Sequence, residues 1–377
     1  MVRAEVLARL RRAPATRPDL ERELGWGRSV VAAAIDHLGT AQLITEIAAT
    51  DTTGRGRPGR TLVARYPAAV LVGVDLGHDH IAVAVSDGDL RITAEQRIAF
   101  AVDRDVDASL DAAAALVAEL LTRVDTHDVA VVCCVGVPGP LDAPRRAVAS
   151  PTILSSWSGL DLADQVARRT GLRIVIENDA NLGALAELHD GAAVGLDDVV
   201  YVKVSGGVGA SVVVAGRLVI GSHGGAGEIG HTQLRQDGAW CRCGNRGCLE
   251  TIVSVAQVLD QVGHLTGDSG TPRERLLAVR EHPVTRKVLA ESGRTLGVVL
   301  ANMCALLDPQ AIVVGGELAD LTDDFVAGVR ESVVRLAQPG RADSVSVRHA
   351  AHGTRAELLG ALVTARRELL ADVAGHP

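Results

Sequence analysis

The chain has 377 residues, 47% of them hydrophobic and 22% charged, with a net charge of −8. That length predicts two or three domains rather than one small one, with apolar material for a sizeable core. No run of about 18 uncharged apolar residues occurs, so no membrane-spanning helix is expected, and the opening MVRAEVLARLRRAP lacks the apolar stretch of a secretory leader.

The first 66 residues are basic, with 11 Arg against 7 Asp or Glu. The remainder carries −12 by subtraction, an acidic body behind a basic head. In the head, Val2, Val6, Leu7 and Leu10 share one helical face. Thr16 opens a second helix, with Asp19 three residues on as in a capping box and Pro18 tolerated in the first turn. Leu20 and Leu24 form its buried pair. Gly25-Trp26-Gly27 reads as a turn, and a third helix follows with Val31, Ile35 and Leu38 inward and Gly39 as its expected stop. Two β-like runs, residues 43–47 and 61–66, flank TTGRGRPGR. This is the outline of a winged helix-turn-helix over residues 1–66. In such a module Arg28 and Ser29 would reach base edges in the major groove, and Arg55 and Arg57 would lie in a narrow minor groove. The competing reading is a three-helix packing domain with a solvated loop.

From residue 69 the texture changes to buried strands. VLVGVDLG (70–77) and a hairpin around Asp87-Gly88 precede a helix near 107–124 and a strand at 129–137. IVIENDANLGALAEL (174–188) reads as strand then helix, and YVKVSGGVGASVVV as two strands about a glycine turn. A long helix near 288–306, a strand at 311–316 and a final helix, strand and helix close the chain. The mixture predicts an α/β architecture of two lobes with a ligand cleft between them.

One segment carries metal chemistry. His231, Cys241, Cys243 and Cys248 are spaced H-x9-C-x-C-x4-C, one imidazole and three thiolates, the tetrahedral donor set of a structural Zn²⁺ site. Gly244 and Gly247 let the loop fold its sulfurs together. Cys133, Cys134 and Cys304 lie in apolar runs and read as buried fillers. This cysteine usage predicts a reducing, cytoplasmic setting.

Six segments give the chain a wider resemblance: DLG at 75–77, GVPGP at 136–140, ENDAN at 177–181, GGAGEIGH at 224–231, CRCGNRGCLE at 241–250 and VVGGELA at 313–319. Together they resemble the ROK family of repressors, open-reading-frame proteins and sugar kinases, built on the actin-like ATPase fold. The basic head resembles that of the family's regulator branch. The resemblance implies a sugar-binding body over 67–377, with one lobe formed by 67–182 plus the C-terminal helix and the other by 183–355. It implies that Asn178, Asp179, Glu228, His231 and Glu250 face sugar hydroxyls, that His231 doubles as a zinc ligand, and that Asp179 is the catalytic base if kinase activity remains.

The phosphate loops depart from the kinase pattern. Where kinases resemble D-x-G-G-T, this chain has Asp75-Leu76-Gly77-His78-Asp79. Where they resemble G-T-G-x-G-G-G, it has Ser205-Gly206-Gly207-Val208-Gly209-Ala210-Ser211. A carboxylate beside a triphosphate costs roughly 4 kcal/mol at ~4 Å and an effective dielectric near 20. ATP with Mg²⁺ is therefore not expected as a cofactor. Thr152 stands where many sugar-binding relatives have asparagine, which leaves the sugar open. The expectation is a sugar-responsive regulator, a repressor, working as a homodimer or homotetramer on a double-stranded DNA operator, with a sugar or sugar phosphate as effector. The alternative is an ATP-dependent hexose or N-acetylhexosamine kinase.

Overall fold

A computed structural model describes residues 2–41, 43–48, 60–66, 68–142, 147–148, 155–267, 269–338 and 344–373. The head is three helices, α1 (Val2–Arg12), α2 (Arg17–Leu24) and α3 (Arg28–Thr40), followed by an antiparallel pair, β1 (Ile44–Ala48) and β2 (Arg60–Ala64). Helix α2 starts where it does because the Thr16 hydroxyl accepts the Asp19 N–H while the Asp19 carboxylate accepts the Thr16 N–H at 3.1 Å. Gly25, left-handed at φ +70°, closes it. Helix α3 runs one residue past its expected stop at Gly39, with Ala41 as the cap. Val6, Leu7, Leu10, Leu20, Val31, Ile35, Leu38, Leu43 and Leu62 form the head's core. Each contributes about 1.5–3 kcal/mol of burial. Trp26 packs at its edge and donates its indole N–H to Glu5 at 2.6 Å.

The body holds two five-stranded sheets of the same design. In the first, β3 (Ala69–Leu76) pairs antiparallel with β4 (His80–Asp87), which carries β5 (Ile92–Ala99). On its other side β3 runs parallel to β6 (Ala130–Val137), followed by β9 (Arg173–Asn178). A short ribbon of β7 (Leu141–Asp142) and β8 (Ala147–Val148) leaves the end of β6. In the second sheet β10 (Val199–Val204) takes the central place, with β11 (Val208–Val214) and β12 (Arg217–Leu218) antiparallel on one side. Parallel β13 (Ala311–Gly315) and β14 (Ser346–His349) lie on the other. The orders are β5-β4-β3-β6-β9 and β12-β11-β10-β13-β14. Parallel neighbours need long crossovers, which the helices supply. These are α4 (Val106–Leu121) and α5 (Leu162–Thr170) in the first sheet, and α7 (Val255–Val262), α8 (Pro272–Val279), α9 (Pro283–Leu307), α10 (Glu317–Leu321) and α11 (Asp323–Leu336) in the second; α6 (Asp179–Asp190) leads from β9 of one sheet to β10 of the other. Helix α9 begins earlier than the apolar pattern indicated, because Pro283 fits the first helical position and the His282 ring accepts the Val284 N–H at 3.2 Å. Trp157 is fully buried in the first sheet's core.

Helix α12 (Ala356–Val373) ties the parts together. It packs on the first sheet beside α6, and a Cβ at Gly360 would stand 1.9 Å from the Leu182 carbonyl oxygen, so only glycine allows the two backbones to approach so closely. Its far end leaves the body: Leu370 lies in the head's core, and the Arg366 guanidinium sits 4.2 Å from the centre of the Tyr66 ring. Among the described residues no helix is long and apolar enough to cross a membrane.

Candidate functional site

The two central hairpins aim their turns at one cleft. The β3–β4 turn brings Gly77, His78 and Asp79, and the β10–β11 turn brings Ser205, Gly206 and Gly207. Asn178, Asp179, Gly209, Glu228, His231 and Glu250 line the same cavity, of about 230 Å³. These twelve residues, all named from the sequence, therefore converge, and Asp75 lies buried just behind them.

Asn178 caps α6: its carboxamide oxygen accepts the Asn181 N–H at 3.1 Å, and its amide donates to the Gly139 carbonyl at 2.9 Å. The helix-cap role and a place in the cleft are thus compatible. Asp179 opens the helix; its Oδ1 accepts the Ala180 N–H at 2.8 Å, and its Oδ2 lies 2.9 Å from Lys203 Nζ. Lys203 is the penultimate residue of β10, a cation inside an otherwise apolar strand. Burial alone would lower its pKa, but the carboxylates of Asp179, Glu357 and Asp75 outweigh that and hold it above the ordinary lysine value. Burial, eased by Lys203, pushes Glu357 up to about 7. Glu228 also rises to about 7, from burial and then from the charges of Asp179 and Glu250.

The first phosphate-type loop has been refitted around histidine. His80 bridges two carboxylates, Asp75 through Nε2 and Asp79 through Nδ1, each at 2.9 Å. A Cβ on Gly77 would lie 2.0 Å from the His80 ring, so this glycine makes room for an imidazole. His78 binds Asp103 through Nδ1 at 2.8 Å, and its ring packs against Gly206 of the opposite turn. The imidazole thus stands between the two hairpin turns.

The four metal-type residues meet beside the cavity, which His231 alone of them lines. All donor atoms of His231, Cys241, Cys243 and Cys248 lie within 4.8 Å of one another. Cys243 and Cys248 sulfurs are 3.7 Å apart, and Cys241 Sγ is 3.5 Å from His231 Nδ1. A tetrahedral zinc with Zn–S of about 2.3 Å sets sulfurs about 3.8 Å apart, so the cluster has the dimensions for such an ion. Gly247, at φ +61°, passes so near Arg235 that a Cβ would meet its carbonyl oxygen at 1.8 Å. The cluster fixes the neighbours that face the cleft: Glu250 Oε1 is 2.9 Å from Cys241 Sγ and 3.6 Å from His231 Nδ1. Trp240 stands on this loop, 67% exposed, under the Arg246 guanidinium at 3.9 Å.

In the head, Arg28 and Ser29 are exposed at the start of α3. Arg55, Arg57 and Thr152 lie outside the described residues. Lys203, His80 and Glu357 were missed by sequence reasoning. A lone lysine within YVKV was the available signal, since an unpaired cation is rarely buried.

A model of the ROK family matches residues 71–368. The xylose repressor of Bacillus spizizenii is 27% identical over 354 residues, 93% of this chain and 91% of that protein. The glucokinase of Streptomyces coelicolor is 31% identical over 315 residues, 78% of this chain and 97% of that protein. The crystal structure of a ROK family transcriptional regulator, a homologue of the E. coli Mlc protein, has a TM-score of 0.78 at 22% identity, covering 99% of this chain and 100% of that one. At that identity the likeness is one of fold.

Proposed function

The chain belongs to the ROK family, and on that premise we propose that it is a sugar-responsive transcriptional repressor. Residues 1–66 are the operator-binding winged helix-turn-helix, and residues 67–377 are the sugar receptor. The reach of the relatives supports this division: the repressor match extends over 93% of the chain, whereas the glucokinase match stops at 78%. Arg28 and Ser29 read base edges, Arg55 and Arg57 hold the minor groove, and a symmetric dimer engages half-sites about one helical turn apart. Asn178, Asp179, Glu228, His231 and Glu250 bind the sugar hydroxyls. His231, Cys241, Cys243 and Cys248 hold a structural zinc that fixes the loop bearing Glu250.

The observation that carries the receptor reading is the Lys203–Asp179 contact at 2.9 Å. A general base must be free to take a proton from the attacking hydroxyl. Here the carboxylate in the base's position is engaged by a buried ammonium, and His78 occupies the ground between the phosphate loops. The cleft thus keeps its sugar-facing groups while both requirements of phosphoryl transfer are blocked.

The test is to select DNA from a random library with the full-length protein, then measure its affinity with D-xylose, D-glucose or N-acetyl-D-glucosamine present. One of these is expected to change DNA affinity at least tenfold. Failure to select any sequence, or sugar-dependent ATP consumption on the order of 1–100 per second, would overturn the reading in favour of a kinase.

A further inference from the structure

Helix α12 has one end in the cleft and the other in the head. Its first turn carries Glu357, 2% exposed, which accepts the Tyr201 hydroxyl at 3.2 Å and lies 3.7 Å from Lys203 Nζ. Leu370, thirteen residues on and therefore about 20 Å along the axis, is 5% exposed within the head's core. Among the described residues it is the one side chain of the body in that cluster. One turn earlier, Arg366 lies over Tyr66, and its guanidinium meets the His189 ring at 2.5 Å. Between these ends the helix cannot slide independently of the cleft. Gly360 seats it backbone-to-backbone against α6, the helix that begins with Asp179, and Gly73 does the same against β3, where a Cβ would come within 2.8 Å of the Leu358 carbonyl. Close-packed contacts of this kind pass on displacement rather than absorbing it.

Lys203 is placed to start such a displacement. It is shared between Asp179 at 2.9 Å and Glu357 at 3.7 Å. A ligand hydroxyl that donates to Asp179 competes for that carboxylate, and the ammonium then gains most by moving toward Glu357. We propose that Lys203 is the residue that senses the ligand, and that α12 carries its shift to the head through Leu370 and the Arg366–Tyr66 stack. This rests on the reading of the cleft as a sugar receptor, and it names how occupancy of that site alters the head. By linkage, bound DNA must change sugar affinity by the same factor that sugar changes DNA affinity.

The test uses full-length protein, the selected DNA and the same three sugars. Sugar affinity is measured by calorimetry, DNA affinity by titration, and opening of α1–α3 by hydrogen exchange. In the wild type, the sugar that binds is expected to change DNA affinity and head exchange at least tenfold. Arg366→Met is expected to keep sugar affinity and sugar-free DNA affinity within threefold, while the sugar response falls below threefold. Leu370→Ala should behave alike; should it unfold the head, Arg366→Met decides. A folded Arg366→Met that responds as the wild type does overturns the α12 route while leaving the receptor reading intact. Absence of binding by all three sugars in the wild type overturns both.

Discussion

His80 gives the cleft a pH signature that can be worked out. The residue is 8% exposed, and its ring nitrogens lie 2.9 Å from Asp75 and Asp79. Burial alone would lower its pKa, but the Asp75 charge and hydrogen bond outweigh that and raise it from 6.5 to about 9. The same contact holds Asp75 down at about 2, so the pair is counted once. A folded-state value above the unfolded one stabilises the fold fully below pH 6.5 and loses that contribution as pH climbs through about 9. The gap corresponds to about 3 kcal/mol, of which about 2 kcal/mol should disappear between about pH 7 and about pH 9.5. Glu228 and Glu357, both near 7, change mostly below that window. Urea unfolding followed by circular dichroism, run on the wild type and on His80→Gln at both pH values, isolates the term. The wild type should lose about 2 kcal/mol more than the variant. Equal losses would show that His80 is not held as a cation by Asp75, and the charge account of this loop would fall with it.

Cys243→Ser should remove one equivalent of bound zinc by elemental analysis and weaken sugar binding at least tenfold, because one loop carries both Cys241 and Glu250. Unchanged sugar affinity in metal-free protein would separate the two. Arg57→Ala should reduce the slope of log affinity for DNA against log salt by about 1, since each phosphate-neutralising cation releases condensed counterions. Gly360→Ala should destabilise the protein by about 1–3 kcal/mol, because its Cβ would meet the Leu182 carbonyl at 1.9 Å; an unchanged urea midpoint would mean that α6 and α12 are free to part.

What could be read from the sequence was what is local. The Thr16–Asp19 cap, the glycine turn at 25–27 and the four metal-type donors all act within a few turns of chain, so spacing alone exposes them. The strands of both hairpins were equally plain, because continuous apolar runs mark buried central strands. The charge network in the cleft was not legible. Lys203 finds its partners 24 and 154 positions away, at Asp179 and Glu357, and nothing in YVKV announces which carboxylates the fold will bring to it. His80 sat inside an expected hairpin and was read as strand rather than as the ring that fills the space over Gly77. The early start of α9 was available in Pro283 and was overlooked in favour of apolar periodicity, which begins only at the helix's buried face.

Aromatic residues are scarce, and the three tryptophans fall in three different places: Trp26 hydrogen-bonded in the head, Trp157 sealed in the first lobe, and Trp240 open to water on the cysteine loop. Each emits from its own surroundings, blue-shifted for the sealed indole and red-shifted for the open one. Replacing two at a time with phenylalanine would leave a single native lamp in the reader, the lobe or the loop. A stopped-flow trace from each would then time which part moves first when a ligand arrives, with no dye attached.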